Sequence, residues 1–271
     1  MATHPTQRGF SLIELVMVIV ILGIVGATVA VFMRKPVDAY VDTSRRAALS
    51  DLADTAVRRI ARDLQRALPN SLRSPNNQCI EFIPTRTGGR YRAELTSAGT
   101  GDTLDFGIAD TRFGVFGDLG ALPADQRVRA GDVVVVYNLG IPGANAYDGD
   151  NTAVVASVAT GAESTITMAA KQFPLASAAN RFHVVPGDEK IVSFTCSGGR
   201  LLRSSNHAYN NACPTSGATV AVLANNVSAC NFVYNDSDLQ RNAQVRMGIV
   251  LTDTAGDSVS LYHEVHVSNT P

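Results

Sequence analysis

Glu14 is the only ionisable residue between Arg8 and Arg34, and it stands at the head of an apolar run. Leu15 to Met33 carry no charge and are dominated by Leu, Ile, Val, Met and Phe. A run of that length, wound as a helix, crosses a hydrocarbon core of about 30 Å. A carboxylate in hydrocarbon is expensive, by about 3 kcal/mol at the centre of a span on insertion scales, so Glu14 is a functional-site candidate by default. The leader Met1–Gly9 is short and polar. An ordinary secretory signal is cut after its apolar stretch. Here the small residue at the junction, Gly9 before Phe10, precedes it, so a cut there leaves the helix in a mature chain that starts at Phe10.

Other residue types with chemical capacity are scattered further on. Cys79, Cys196, Cys213 and Cys230 contain no CxxC pair, which argues against a thiolate metal site. In an exported chain four cysteines read as two disulfides, and three connectivities are open. Closure of the loop after Leu201-Leu202 favours Cys196 with Cys213, and with it Cys79 with Cys230. His263-Glu264-Val265-His266 is not HExxH, and on a strand the two imidazoles point to opposite faces. Asp148-Gly149-Asp150-Asn151 has the residue types of a calcium loop without the alternating acids and terminal Glu, and reads as a tight turn. Ser204-Ser205-Asn206-His207 offers a hydroxyl near a base, but with no glycine elbow and no acid to orient the histidine. No Gly-rich phosphate loop is present. The chain reads as a non-enzyme with no cofactor and no metal.

The elements that must position Glu14 begin with a long helix. Beyond the span, Leu49, Leu52, Ala56, Ile60, Leu64 and Ala67 recur at steps of three and four, which makes one apolar stripe. Asp54 with Arg58, and Arg59 with Asp63, are spaced to pair on the other face. Pro36, inside the helix, removes a backbone bond and bends the axis, and Gly23 and Gly26 are further weak points. The helix is predicted from about Phe10 to Leu68, ending at Pro69-Asn70. The basic run Arg58–Leu64 reads as a solvated helix face.

From Leu72 onward the period changes to two, with frequent turns. Strands are predicted at Cys79–Ile83, Tyr91–Leu95 after a Gly88-Gly89 turn, Thr103–Ile108, Val133–Tyr137, Ser164–Met168 and Arg181–Val185. Val133–Val136 is apolar on both faces and so central. Ile191–Thr195 and Arg200–Leu202 form a hairpin through Gly198-Gly199; Asn231–Tyr234 is short; Val245–Thr252 and Val259–Val267 close the chain. Gly140–Asn151 reads as an exposed insertion. The expected organisation is a leader over 1–9, a transmembrane and assembly helix over 10–33, its amphipathic continuation over 34–69, and one β-rich body over 70–271. The fold class is α+β. The 271 residues carry a net charge of −1, which gives no basis for nucleic-acid binding.

Gly9-Phe10-Ser11-Leu12-Ile13-Glu14-Leu15-Val16 followed by an apolar helix resembles the signal of type IV pilins and of the pseudopilins of type II secretion. The resemblance implies that a prepilin peptidase cuts after Gly9 and methylates Phe10. It implies that Glu14 serves subunit assembly by meeting the N-terminal amine of a neighbour. The leader then lies in the cytoplasm and the body in the periplasm, anchored by a single pass in the inner membrane before transfer to a surface pilus. The implied partners are the peptidase, other major and minor pilins, an inner-membrane assembly platform and the lipid bilayer. Arg58–Ser71, Cys79–Phe82, Cys196–Leu202 and Asn225–Phe232 extend the resemblance to minor pilins of the mannose-sensitive haemagglutinin (MSHA) pilus, related to the J-type minor pseudopilins. One departure is Val31, where major pilins often have proline. The alternatives are a minor pseudopilin of type II secretion and, from another class, a membrane-anchored periplasmic enzyme or binding protein.

Overall fold

Leu12 to Leu64 wind into one 53-residue helix, α1, which continues through Pro36 as a single element. The computed structural model describes residues 9–206, 209, 213, 218–234 and 242–271. Met1 to Arg8, where the leader is expected, and His207 lie outside them. Two compact units divide the chain, with the boundary after Ala48. In the first unit every described residue of α1 is exposed. In the second, Leu49, Ala53, Ala56, Val57, Ile60 and Leu64 are buried. The expected stripe is thus present but rotated: Ala53 and Val57 are inside, while Leu52 is only half-buried. Arg58 Nε donates to Asp54 Oδ2 at 2.6 Å, as its spacing requires. Asp63, by contrast, pairs not with Arg59 but with Arg203 Nε at 2.8 Å.

The helix ends earlier than Leu68. Ala67 N–H reaches back to Leu64 O at 3.1 Å, and Leu68 N–H leaves the helix for Ile83 O at 2.8 Å. Pro69 has no N–H and restricts the residue before it, so the chain turns out here. Asn70 then adopts a φ of 57°.

The stripe on α1 is covered by two antiparallel sheets. The first has the order β1 (Arg73–Asn76), β2 (Cys79–Phe82), β9 (Ile191–Ser197), β10 (Arg200–Asn206), β11 (Thr219–Ala224). The second is β12 (Val227–Tyr234), β13 (Asn242–Thr252), β14 (Ser258–Ser268). Ile80, Phe82, Phe194 and Leu201 from one sheet, and Phe232, Val245, Met247, Ile249 and Val265 from the other, share a core with the helix. Phe82 and Phe194 stack with centroids 6.2 Å apart. Each such side chain, fully buried, contributes about 1.5–3 kcal/mol. This is the α+β, pilin-like arrangement of one long N-terminal helix on an antiparallel β-rich body.

Between β2 and β9, which pair directly from Cys79↔Thr195 to Phe82↔Val192, the chain leaves and returns. The excursion forms a third sheet, ordered β3 (Thr87–Arg90), β8 (Arg181–Val185), β5 (Val133–Val136), β6 (Thr152–Ala159), β7 (Glu163–Lys171), β4 (Asp110–Phe116). The sheet curls until its edges meet: Tyr91, just past β3, bridges Val115 of β4. Phe113, Val134, Val136, Ile166, Phe182 and Val184 fill the inside. Val133 and Val135 face the other way, onto Leu68 and Ile83. That is why β5 is apolar on both faces and central.

Several expectations for this region are corrected. Gly88-Gly89 is not a turn but the middle of β3, pressed so closely on β8 that a Cβ on Gly88 would lie 2.8 Å from Phe182 O. Thr103–Ile108 is not a strand, and after the Tyr91 bridge no strand continues to Leu95. Gly140–Asn151 is not simply an exposed insertion: Ala144, Ala146 and Asn151 are buried. Ala146 N–H donates to Asn138 Oδ1 at 2.8 Å, and Tyr147 Oη donates to Ser71 O at 2.8 Å.

The cysteines pair as Cys79–Cys213 and Cys196–Cys230, not as Cys196–Cys213 with Cys79–Cys230. Sheet geometry overrides nearness in sequence. Val227 N–H bonds Gly199 O at 2.9 Å, which lays β12 beside the end of β9. Cys213 N–H donates to the buried Glu81 carboxylate at 2.9 Å, which brings it against β2. The bridges span sequence separations of 134 and 34. Chain entropy gives ceilings of about 5 and about 4 kcal/mol. Replacing Cys79 and Cys213 together by serine should lower the unfolding midpoint more than replacing Cys196 and Cys230. Calorimetry of both double variants checks the order.

Candidate functional site

Ser11 closes the start of α1. Its Oγ accepts Glu14 N–H at 3.3 Å, and its carbonyl accepts Glu14 N–H at 3.1 Å and Leu15 N–H at 3.2 Å. Ser-x-x-Glu is the spacing of a capping box, and it satisfies donors that would otherwise be orphaned at the helix start. The Glu14 carboxylate lies in the first turn, where the helix dipole favours negative charge. Phe10 lies outside the helix and is 81% exposed. The Gly9–Phe10 bond is therefore in open, non-helical chain two residues ahead of the first helical residue. A Cβ on Gly9 would meet nothing within 4 Å. The fold of this chain does not demand glycine there.

The rest of the span has the same character. Leu12 is 82% exposed and Phe32 77%, and the apolar side chains between them are exposed as well. An apolar surface of that extent does not belong in water. The one hydroxyl in the stretch is satisfied within the helix, with Thr28 Oγ1 donating at 2.9 Å to Ile24 O and Val25 O. In hydrocarbon this internal bonding is what a polar group requires. Gly23 and Gly26, like Gly9, have open space where a side chain would go. Sequence reasoning placed Gly9, Phe10 and Glu14 but passed over the Ser11 cap, although the Ser-x-x-Glu spacing was its signal.

The other candidates are dispersed. The Asp148–Asn151 segment is a closed turn: Asp150 Oδ2 accepts Gly143 N–H at 2.8 Å, and Asp148 Oδ2 accepts Asn145 Nδ2 at 2.6 Å. Lys171 Nζ donates to Gly149 O at 2.8 Å, which places a cation there already. His263 is half-buried and His266 exposed on alternate faces of β14. Ser204 is buried on β10. Among the described residues no group of three or more His, Cys, Asp and Glu is arranged to hold a metal.

A cleft of about 600 Å³ opens beside the last turns of α1, lined by Arg59, Asp63, Arg66, Arg86, Glu189 and Arg203 among others. Arg203 bridges Asp63 Oδ2 at 2.8 Å and Glu189 Oε1 at 2.6 Å. Arg86 lies 3.2 Å from Asp188 and 3.5 Å from Asp132. Two of the arginines lining this cleft, Arg86 and Arg203, are thus paired with fixed acids.

One imidazole is strongly perturbed. Burial, with the neighbouring Arg181 guanidinium, pushes His183 down to about 4. Below its ordinary pKa of 6.5 the unfolded chain takes up a proton that the folded chain refuses. The stability it contributes is complete above pH 6.5 and is lost as pH falls towards 4, by about 3 kcal/mol in all. His183→Gln should remove close to one proton from the pH dependence of the unfolding free energy in that window. Denaturant titrations of parent and variant at pH 4.5, 5.5 and 7 measure it.

No curated protein and no solved structure matches this chain. Residues 5–30 match the family model described as the prokaryotic N-terminal methylation motif. The match covers the Gly9–Phe10 junction, the Ser11 cap, Glu14 and most of the apolar run. It supports a type IV pilin-like protein of the pilin and pseudopilin family, and with it processing by prepilin peptidase and assembly with other pilins. A single apolar helix carrying that motif fits membrane anchoring through that helix.

Proposed function

We propose that this chain is a minor pilin of an MSHA-type type IV pilus, most like MshO, that enters the filament through α1 and primes assembly at or near the tip. One observation carries the reading. The segment matched by the methylation motif has an open Gly9–Phe10 junction, a capped helix start and a carboxylate in the first turn, followed by exposed apolar residues. Gly9 and Phe10 form the peptidase site, Phe10 is the methylated terminus, and Glu14 is the assembly carboxylate. Where the helix extends back to the new terminus after cleavage, the Phe10 ammonium lies about 6 Å along the axis from Glu14. A neighbour staggered by that distance brings its ammonium to the Glu14 carboxylate, which offsets the desolvation of both charges and sets the axial register. The body, in the periplasm before assembly, has more than two hundred residues. That bulk suits a low-copy subunit better than one repeated along a thin fibre.

Mass spectrometry of protein from cells with the peptidase should show a methylated N-terminal Phe10; a terminus at Met1 or Ala2 would overturn the reading. Glu14→Ala and Glu14→Gln should both insert and be cut normally. Both should reduce copurification with partner pilins, and surface piliation in shearing assays, severalfold. Copurification with secretion pseudopilins instead would move the protein to the piston of a type II system.

A further inference from the structure

The curled third sheet carries, on the face turned away from its own interior, a group of side chains that the assembly reading does not use. Arg90 ends β3 and Arg181 begins β8, and the two stand directly opposite each other. Like charges in that position destabilise an antiparallel pair. Neither arginine has an acidic partner among the described residues. Two positions along β8, His183 shares the face of Arg181. Its Nε2 is buried and has no hydrogen-bond partner. Opposite His183 stands Gly88, which contributes no side chain. A Cβ there would approach His183 Nδ1 to 3.4 Å and Phe182 O to 2.8 Å. A trough of about 350 Å³ is lined by Gly88, Gly89, Arg90, Arg181, Phe182 and His183.

Two guanidinium groups directly opposite each other beside one void repel, and water in the void only screens that repulsion. They become favourable when the void holds a group with several acceptor oxygens. Guanidinium is suited to this role, because its planar fork matches a carboxylate, sulfate or phosphate with paired donors. We propose that this trough binds an oxyanion group through Arg90 and Arg181, with the His183 ring in its lining as a reporter of occupancy. The trough is larger than a lone sulfate, so the oxyanion can be carried on a small ring such as an acidic sugar. The site stands whether or not the chain assembles into a pilus.

The test uses the full chain in detergent micelles at constant ionic strength, titrated separately with sulfate, phosphate and glucuronate against chloride. The readouts are the His183 ring resonances and the thermal midpoint. The expected result is a saturable shift of those resonances with a rise in midpoint. Arg90→Gln and Arg181→Gln should each weaken binding roughly tenfold or more, the loss of a hydrogen bond to a charged group. Without added anion, Arg90→Gln should melt no lower than the parent, because the opposed charge is gone. A merely structural arginine would give the reverse. Tighter binding of glucuronate than of the inorganic ions assigns an acidic sugar as the source, and equal binding assigns a free anion. Absence of a saturable shift with all three probes would overturn the site, as would parental affinity in both variants.

Discussion

Burial of one stripe on the last turns of α1 is the constraint from which the body follows. Leu49, Ala53, Ala56, Val57, Ile60 and Leu64 cannot cover themselves, and a single short sheet cannot cover them either. Two sheets converge on the stripe, and the largest core in the structure contains residues from all three elements. The small residues Ala53 and Ala56 matter here, since they let strands approach the helix axis. The rotation of the stripe towards Ala53 and Val57 shows the same effect. The helix turns to present the face that both sheets can reach, and Leu52 is left at its margin.

Local patterns were legible where one local rule decides. The hairpin at Gly198-Gly199 is such a case: both glycines have positive φ, 58° and 71°, as a two-residue turn between right-twisted strands requires. The β13–β14 hairpin is another, with Asp253 Oδ1 accepting Ala255 N–H and Asp257 N–H, both at 2.9 Å. β5 announced itself by four consecutive valines. Gly88-Gly89 misled because glycine marks turns and also marks places where backbones press together. Only β8, almost a hundred residues away in sequence, distinguishes the two.

Non-local pairing was not legible at all. That β2 neighbours β9, with the third sheet inserted between them, depends on which strand finds which across the whole chain. No alternation of side chains encodes it. The disulfides inherit the same opacity. Loop length favours near cysteines, but a cysteine on a strand is held where the sheet puts it, and β12 beside β9 makes Cys230 the neighbour of Cys196. The ion pairs behave likewise. Asp54–Arg58 forms because nothing competes, whereas Asp63 is taken by Arg203, 140 residues distant.

The N-terminal segment is the opposite case, legible from sequence because its residues have no tertiary context here to override them. Within this chain some polar groups of α1 are accounted for: Ser11 caps the helix, and Thr28 bonds its own preceding turn. Others have no internal explanation. Gly23 and Gly26 have empty space around them, although glycine inside a helix costs about 1 kcal/mol relative to alanine. The apolar side chains from Leu12 to Met33 have nothing to pack on, and Glu14 is a charge at the edge of that surface. Nothing within the described chain accounts for these features, and most of them fall in the stretch that the methylation motif matches, which fits a helix whose contacts are made with a membrane.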